Sequence, residues 1–210
     1  MGLPVLVYGN SGTGKSTSYR AFNEKELGII NVLGKQLPFK NNFKTFTSSD
    51  YPTIKQALLK STVNTMVIDD AGYLLTSQFM AGHAGGKGNA IFDLYNQIGD
   101  NFWDLIRFVQ LQLPAEKIVY IFMHEDKNDM GDIKPKTIGR MLDEKVCVEG
   151  LFTIVLRSFK EEGKYYFRTQ SSGFDVSKSP IDMFNNEKID NDLKQVDNVI
   201  REYYNLGGSN

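Results

Sequence analysis

Residues Gly9 to Ser16 read Gly-Asn-Ser-Gly-Thr-Gly-Lys-Ser, a full match to the pattern G-x-x-x-x-G-K-[ST], and they follow directly on the apolar run Leu3 to Tyr8. A buried strand must therefore end in a loop whose glycines, Gly9, Gly12 and Gly14, let backbone N–H groups converge on an anion. A helix starting near Lys15 adds its positive end at the same point. The expected nucleotide-binding segment is Gly9, Asn10, Ser11, Gly12, Thr13, Gly14, Lys15, Ser16 and Thr17. Lys15 is expected to reach the β- and γ-phosphates of a nucleoside triphosphate, and the Ser16 hydroxyl to ligate Mg²⁺.

Beyond the loop, helical and strand patterns take turns. Residues 16 to 27 are expected as a helix ended by Gly28, Ile29 to Leu33 as a strand, and Tyr51 to Lys60 as a helix entered through Ser48, Ser49 and Asp50. Thr65 to Ile68 is a buried strand ending on Asp69-Asp70. Residues 76 to 90, with Gly82, Gly85, Gly86 and Gly88, are expected to be irregular. They lead into a long helix through Ile91, Tyr95, Ile98, Phe102, Leu105 and Val109, with a kink at Gly99. Ile118 to Met123 is another all-apolar strand, and Glu125 to Lys136 a polar loop. Continuous apolar strands alternating with helices predict a mostly parallel sheet flanked on both faces. Val146 to Phe159 and Lys164 to Gln170 read as an antiparallel hairpin turning at Glu161-Glu162-Gly163. Ser171 to Asn186 reads as loop. The last helix, about 190–205 and capped by Asp190 or Asn191, carries Ile189, Leu193, Val196, Ile200 and Tyr203 on one stripe.

Composition narrows the setting. A chain of 210 residues with 41% hydrophobic content is expected to form one α/β domain over 1–210. With 24 basic and 25 acidic residues its field is near neutral, which excludes a uniformly basic DNA-coating protein; nucleic-acid contact would need a local patch. The lone Cys147 sits in an apolar alternation and is expected as a small buried hydrophobe. No signal peptide or membrane span is read, so the expected location is the cytoplasm.

The run Thr65-Met-Val-Ile-Asp-Asp70 is expected to deliver Asp69 to the carboxyl edge of the sheet, beside Ser16, where it holds Mg²⁺ through water. Asp70 is the expected acceptor that polarises attacking water. His124, at the end of the next central strand, is expected to sense the γ-phosphate. Arg140 and Arg168 are candidates for a cation presented to a neighbour's nucleotide. The polar loop carries Lys127, Lys134 and Lys136, which could hold a single strand by its phosphates, diluted by Asp126, Asp129 and Asp132.

Taken together, the phosphate loop, Ile29 to Lys35, Val-Ile-Asp-Asp, the glycine-rich stretch, the strand ending in His124, Lys136-Thr-Ile-Gly-Arg-Met-Leu142 and the hairpin resemble RecA-like ATPases. The wording is similar to phage-encoded ATP-binding proteins of the Sak single-strand-annealing type. The resemblance covers Pro4 to Tyr204. It implies a RecA-like fold, ATP and Mg²⁺ as cofactors, and DNA-stimulated ATP hydrolysis in recombination, annealing or replication. It also implies a homo-oligomer, with single-stranded DNA and a single-strand-binding protein or helicase as partners. In RecA relatives the two loops bracketing the long helix bind DNA, and the stretch matching Ile138-Gly139-Arg140 couples it to the nucleotide. Two departures stand out: the N-terminal polymerisation arm of larger recombinases has no counterpart, and no catalytic glutamate appears near residues 29 to 36, which shifts the expected base to Asp70. A nucleotide-gated loader and a small-molecule kinase are the alternatives.

Overall fold

The computed structural model describes residues 1–85, 88–139 and 141–207. β1 (Leu3–Gly9) leads into the glycine loop and a six-residue 3-10 helix, Ser16–Ala21. There follow β2 (Leu27–Asn31), β3 (Thr45–Phe46), α1 (Tyr51–Lys60), β4 (Thr65–Asp69), α2 (Gly72–Gly82) and α3 (Asn89–Gln112). The chain continues through β5 (Ile118–Lys127), β6 (Ile133–Pro135), β7 (Ile154–Glu161), β8 (Lys164–Arg168), β9 (Lys188–Asp190) and α4 (Leu193–Tyr204). The strands lie side by side in the order β3, β2, β4, β5, β1, β7, β8, β9, with β6 paired to the end of β5. All pairs from β3 to β7 along this row are parallel, and β7, β8 and β9 are antiparallel. This is an α/β fold with a mostly parallel mixed sheet between helical layers.

Side-chain alternation explains the two layers. Leu6 and Tyr8 of β1 point into a core with α1, α2 and α3, including Ile54, Leu74 and Phe102. Val5 and Val7 point the other way, toward Tyr19 of the 3-10 helix and Leu193, Val196 and Ile200 of α4. Both faces of the central strands are thus covered, which is why these strands read as unbroken apolar runs. No helix among the described residues is long and apolar enough to cross a membrane.

One buried polar network pins α4 beneath the sheet. Asp197, with no exposed surface, accepts from Arg201 Nε (2.7 Å), Thr65 Oγ1 (3.0 Å) and Tyr120 OH (3.0 Å). Arg201 also donates to Thr65 Oγ1 and to the Glu116 carbonyl, both at 2.9 Å. Burial pushes the Asp197 carboxyl up, and the Arg201 guanidinium opposes it.

Several local expectations are corrected. The helix expected over 16 to 27 is only the 3-10 turn, because Ser16-Thr17-Ser18 are weak helix formers and the Ser18 hydroxyl bonds the Lys15 carbonyl at 2.6 Å. Gly28 is not a helix stop but part of β2, where a Cβ would meet Met66 Sδ at 2.4 Å. The stretch expected to be irregular from residue 76 is helical to Gly82, since glycine occurs only at the two ends of α2. Gly99 does not interrupt α3; it makes room for Met141, whose Sδ would be 3.0 Å from a Cβ there. The polar loop 125 to 136 is instead largely the β5–β6 hairpin, with Asp126 opposite Lys134. Strand β7 begins at Ile154 rather than Val146, because residues 141–145 form a π-helical turn and 148–151 a 3-10 turn. Outside a strand the alternation has no meaning, and Cys147 is exposed, not buried. Finally, α4 is capped one or two residues late, by Asp192, whose carboxylate accepts from Lys194 N and Gln195 N.

Asp197→Ala leaves the Arg201 guanidinium buried without its carboxylate and is expected to cost about 3–5 kcal/mol of folding stability. Asp197→Leu combined with Arg201→Met should lose much less. Urea denaturation of both variants checks this; equal losses would show that packing, not the unpaired charge, sets the cost.

Candidate phosphate-binding site

One close approach and two left-handed glycines shape the loop after β1. A Cβ on Gly9 would stand 2.3 Å from the Ser158 carbonyl oxygen of β7, so only glycine fits. Gly12 (φ 77°) and Gly14 (φ 91°) take left-handed backbone that other residues adopt at a cost. The Ser158 hydroxyl donates to the Thr13 carbonyl at 2.6 Å, and Asn191 Nδ2 donates to Ser158 Oγ at 3.3 Å. Ser158 and Asn191 carry no signal in the sequence, because only the β1–β7 pairing brings Ser158 beneath the loop and only the β8–β9 pairing brings Asn191 there.

Lys15 is 8% exposed and curls back, donating to the carbonyls of Gly9 (2.7 Å) and Asn10 (2.9 Å). Burial pulls its pKa down to about 8, against the pull of Asp70, Asp69 and Glu125. Asp69 closes the site from β4: its Oδ1 accepts from Ser16 Oγ (3.1 Å) and from the Asp70 N–H (3.0 Å), its Oδ2 from Tyr19 OH (2.8 Å). Burial raises the Asp69 carboxyl, and the Tyr19 and Ser16 hydroxyls work against that rise.

Asp70 has φ 58°, an uncommon conformation for a non-glycine residue, and it points its carboxylate at two basic side chains. Lys35 Nζ lies 2.5 Å from Oδ2 and His124 Nε2 lies 3.6 Å from Oδ1. Burial raises its pKa, but the neighbouring His124 ring and Lys35 ammonium outweigh it and hold the carboxyl below its usual range. Lys35 is a site residue that sequence reading missed. The parallel register of Asn31 with Asp69 is the signal that could have found it, since it sets the end of β2 beside Asp70.

His124 stands opposite Gly9 in the β1–β5 register and edge-on to Tyr73, with ring centroids 5.8 Å apart. Glu125 is gripped by Arg157 of β7 through Nε (2.8 Å) and NH2 (3.3 Å). Arg157, like Lys35, was not anticipated. A cavity of about 420 Å³ opens beyond the loop tip, lined by Ser11, Tyr73, Thr76, His124, Glu125 and Lys136. A larger one, about 590 Å³, lies at the other end of β1 against Leu3, Leu111 and Tyr204 and shares none of these groups.

Of the expected site residues, Lys15, Ser16, Asp69, Asp70 and His124 converge. Arg168 does not join them: its guanidinium lies over the Phe159 ring at 5.3 Å, with Nε 3.6 Å from Asp175. Arg140 lies outside the described residues. The three lysines are divided, Lys127 and Lys134 on the β5–β6 hairpin and Lys136 at the cavity, its N–H bonded to the His124 carbonyl at 2.7 Å.

The residues present suit Mg²⁺. Among the described residues no group of three His, Cys, Asp or Glu side chains is gathered as a cage. A phosphate-bound Mg²⁺ needs none, because it keeps waters and takes one or two protein oxygens, and Ser16 and Asp69 supply these side by side. No protein-family model matches this chain, and no curated protein matches it in sequence.

Lys15 is expected to titrate near pH 8 in the free protein. Asp70→Asn removes its largest favourable neighbour and should move the midpoint lower. NMR observation of the Lys15 side chain through a pH series reads both; a midpoint at the ordinary value of 10.5 would mean that the ammonium is not buried.

Proposed function

We propose that this chain is a RecA-like ATPase that binds Mg-ATP at Gly9–Thr17, hydrolyses it, and couples the cycle to single-stranded DNA in recombination, annealing or replication. The observation that carries the reading is the convergence of Lys15, Ser16, Asp69, Asp70 and His124 at one carboxyl edge. It arises because β5 lies between β1 and β4. Ligands of open α/β sheets bind at that edge.

In this reading the loop N–H groups and Lys15 hold the phosphates, with Lys15 turning from the Gly9 and Asn10 carbonyls to the β- and γ-oxygens. Ser16 and Asp69 would hold Mg²⁺, which would neutralise developing charge on the phosphates. Asp70, anionic and aimed past the loop, orients the attacking water. It is free to do so once Lys35 lets go, and a γ-phosphate offers that ammonium a stronger anionic partner. His124 touches Asp70 and opens the β5–β6 hairpin, so the state of the phosphate is passed to Lys127 and Lys134. The hairpin lysines would meet the DNA backbone.

One observation favours a second reading, phosphoryl transfer to a small acceptor: the cavity beyond the loop tip is large enough for one and carries Glu125. ADP release that requires an added small acceptor, rather than water or DNA, would select it.

Lys15→Ala is expected to lower ATP affinity at least tenfold with unchanged circular dichroism. Asp70→Asn should keep Mg-ATP binding and lose hydrolysis by about 100-fold or more. Hydrolysis assays beside calorimetric binding separate the two, and full turnover in Asp70→Asn would remove Asp70 from its role.

Replacing Lys127, Lys134 and Lys136 together should abolish DNA stimulation while basal hydrolysis persists. The slope of log affinity against log salt should flatten by about 0.7 for each DNA phosphate that no longer meets a lysine. Anisotropy of a labelled oligonucleotide, with ADP and with a non-hydrolysable ATP analogue, reads it. No binding by the parent protein in either state removes the DNA half of the proposal.

A further inference from the structure

The terminal-phosphate groups, Asp70, Lys35 and His124, all stand on the β4–β5 side of the loop, and Ser16 with Asp69 marks the metal position next to them. Because β1 runs between β5 and β7, a triphosphate laid along the loop with its γ end at Asp70 must carry its nucleoside away over β7 and β8. An aromatic ring waits there. Tyr165, the second residue of β8, is 39% exposed, and its Cδ1 and Cγ lie 3.0–3.1 Å from where a Cβ on Gly14 would be.

The strand that carries the ring is anchored beside the loop, and one cation faces the ring itself. The Tyr165 carbonyl accepts from Asn191 N at 3.2 Å, which ties β8 to the start of α4. Its cross-strand neighbour Lys160 sets an ammonium 5.3 Å from the ring centroid. Arg20, on the exposed flank of the 3-10 helix, spans from the Thr17 carbonyl (3.0 Å) to the Asn191 carbonyl (3.4 Å) and closes the gap between the loop and that junction. Tyr165 lies on the face of the sheet that carries buried Phe167 and Ser158, the face over which the 3-10 helix descends. Arg157 and Arg168, one residue out of phase, face the other layer.

Resting on the triphosphate reading of the loop, we propose that Tyr165 is the platform on which the nucleobase stacks. Stacking uses the π-face that every base has and reads no edge, so the site takes nucleoside triphosphates generally, purines ahead of pyrimidines by their larger area. The side-chain amide at this junction, Asn191, commits its Nδ2 to Ser158 and has a buried Oδ1, so it supports the loop from beneath and leaves the base unread.

The test uses three probes with Mg²⁺, namely ATP, CTP and inorganic tripolyphosphate, titrated calorimetrically into the parent chain, Tyr165→Ala and Tyr165→Phe. Tyr165→Ala is expected to bind ATP about 5- to 100-fold more weakly, to lose the parent's preference for ATP over CTP, and to bind tripolyphosphate as the parent does. Tyr165→Phe keeps the face and should match the parent. Unchanged tripolyphosphate binding also establishes that the alanine variant is folded with its loop intact. Equal ATP affinity in parent and Tyr165→Ala, or an equal loss for ATP and tripolyphosphate, overturns the stacking role. If the parent binds neither ATP nor tripolyphosphate, the loop reading has failed and the platform goes with it.

Discussion

The buried carboxylate of Asp69 is the interaction on which the arrangement depends. It sits at the end of a central strand, is 5% exposed, and is satisfied by two hydroxyls and one backbone N–H. Those two hydroxyls belong to Ser16 and Tyr19, so one carboxylate draws the first turn after the loop onto β4 across β5 and β1. A carboxylate this dry is costly unless its hydrogen bonds are complete. The loop, the short 3-10 turn and the strand edge therefore come as one unit, and moving any of them would leave buried carboxyl oxygens unpaired.

Around that unit the charges are held in balance. Lys15 is buried and holds its proton less tightly, Asp70 is kept ionised, and Lys35 sits on the open side where it can change partners. An incoming phosphate chain would meet a cation whose carbonyl partners are neutral and a carboxylate whose lysine partner is exposed to solvent. Lys15 would exchange neutral carbonyls for ionised oxygens, whereas Lys35, already paired with a carboxylate, is the exposed partner that can move. Glu125, close to the loop, is held bidentately by Arg157, which offsets its charge.

Much of this was legible beforehand where local chemistry dictates local shape. The three loop glycines, the buried strands before Gly9 and His124, the Asp69-Asp70 ending and the amphipathic last helix follow from spacing and apolar periodicity alone. Reading went wrong where a composition signal stood in for a hydrogen-bond pattern. Glycines clustered after residue 82 concealed a helix that ends at the first of them, and charged residues from 125 onward concealed a hairpin whose ladder is backbone. The Val146–Val148 alternation mimicked a strand in a segment of helical turns.

The linear chain was enough to place a glycine-rich loop between a strand and a helical turn and an acid on a neighbouring strand, because motif spacing encodes backbone geometry over ten residues or fewer. Which side chains complete the site is a matter of strand order. Lys35 reaches Asp70 because β2 lies beside β4, Arg157 and Ser158 meet Glu125 and Thr13 because β7 lies beside β1, and Tyr165 reaches Gly14 because the hairpin folds back over that edge. Arg157 and Glu125 are 32 positions apart in the chain, and Ser158 and Thr13 are 145. No local propensity spans such distances; only packing the two apolar faces of the sheet at once sets the order of the strands.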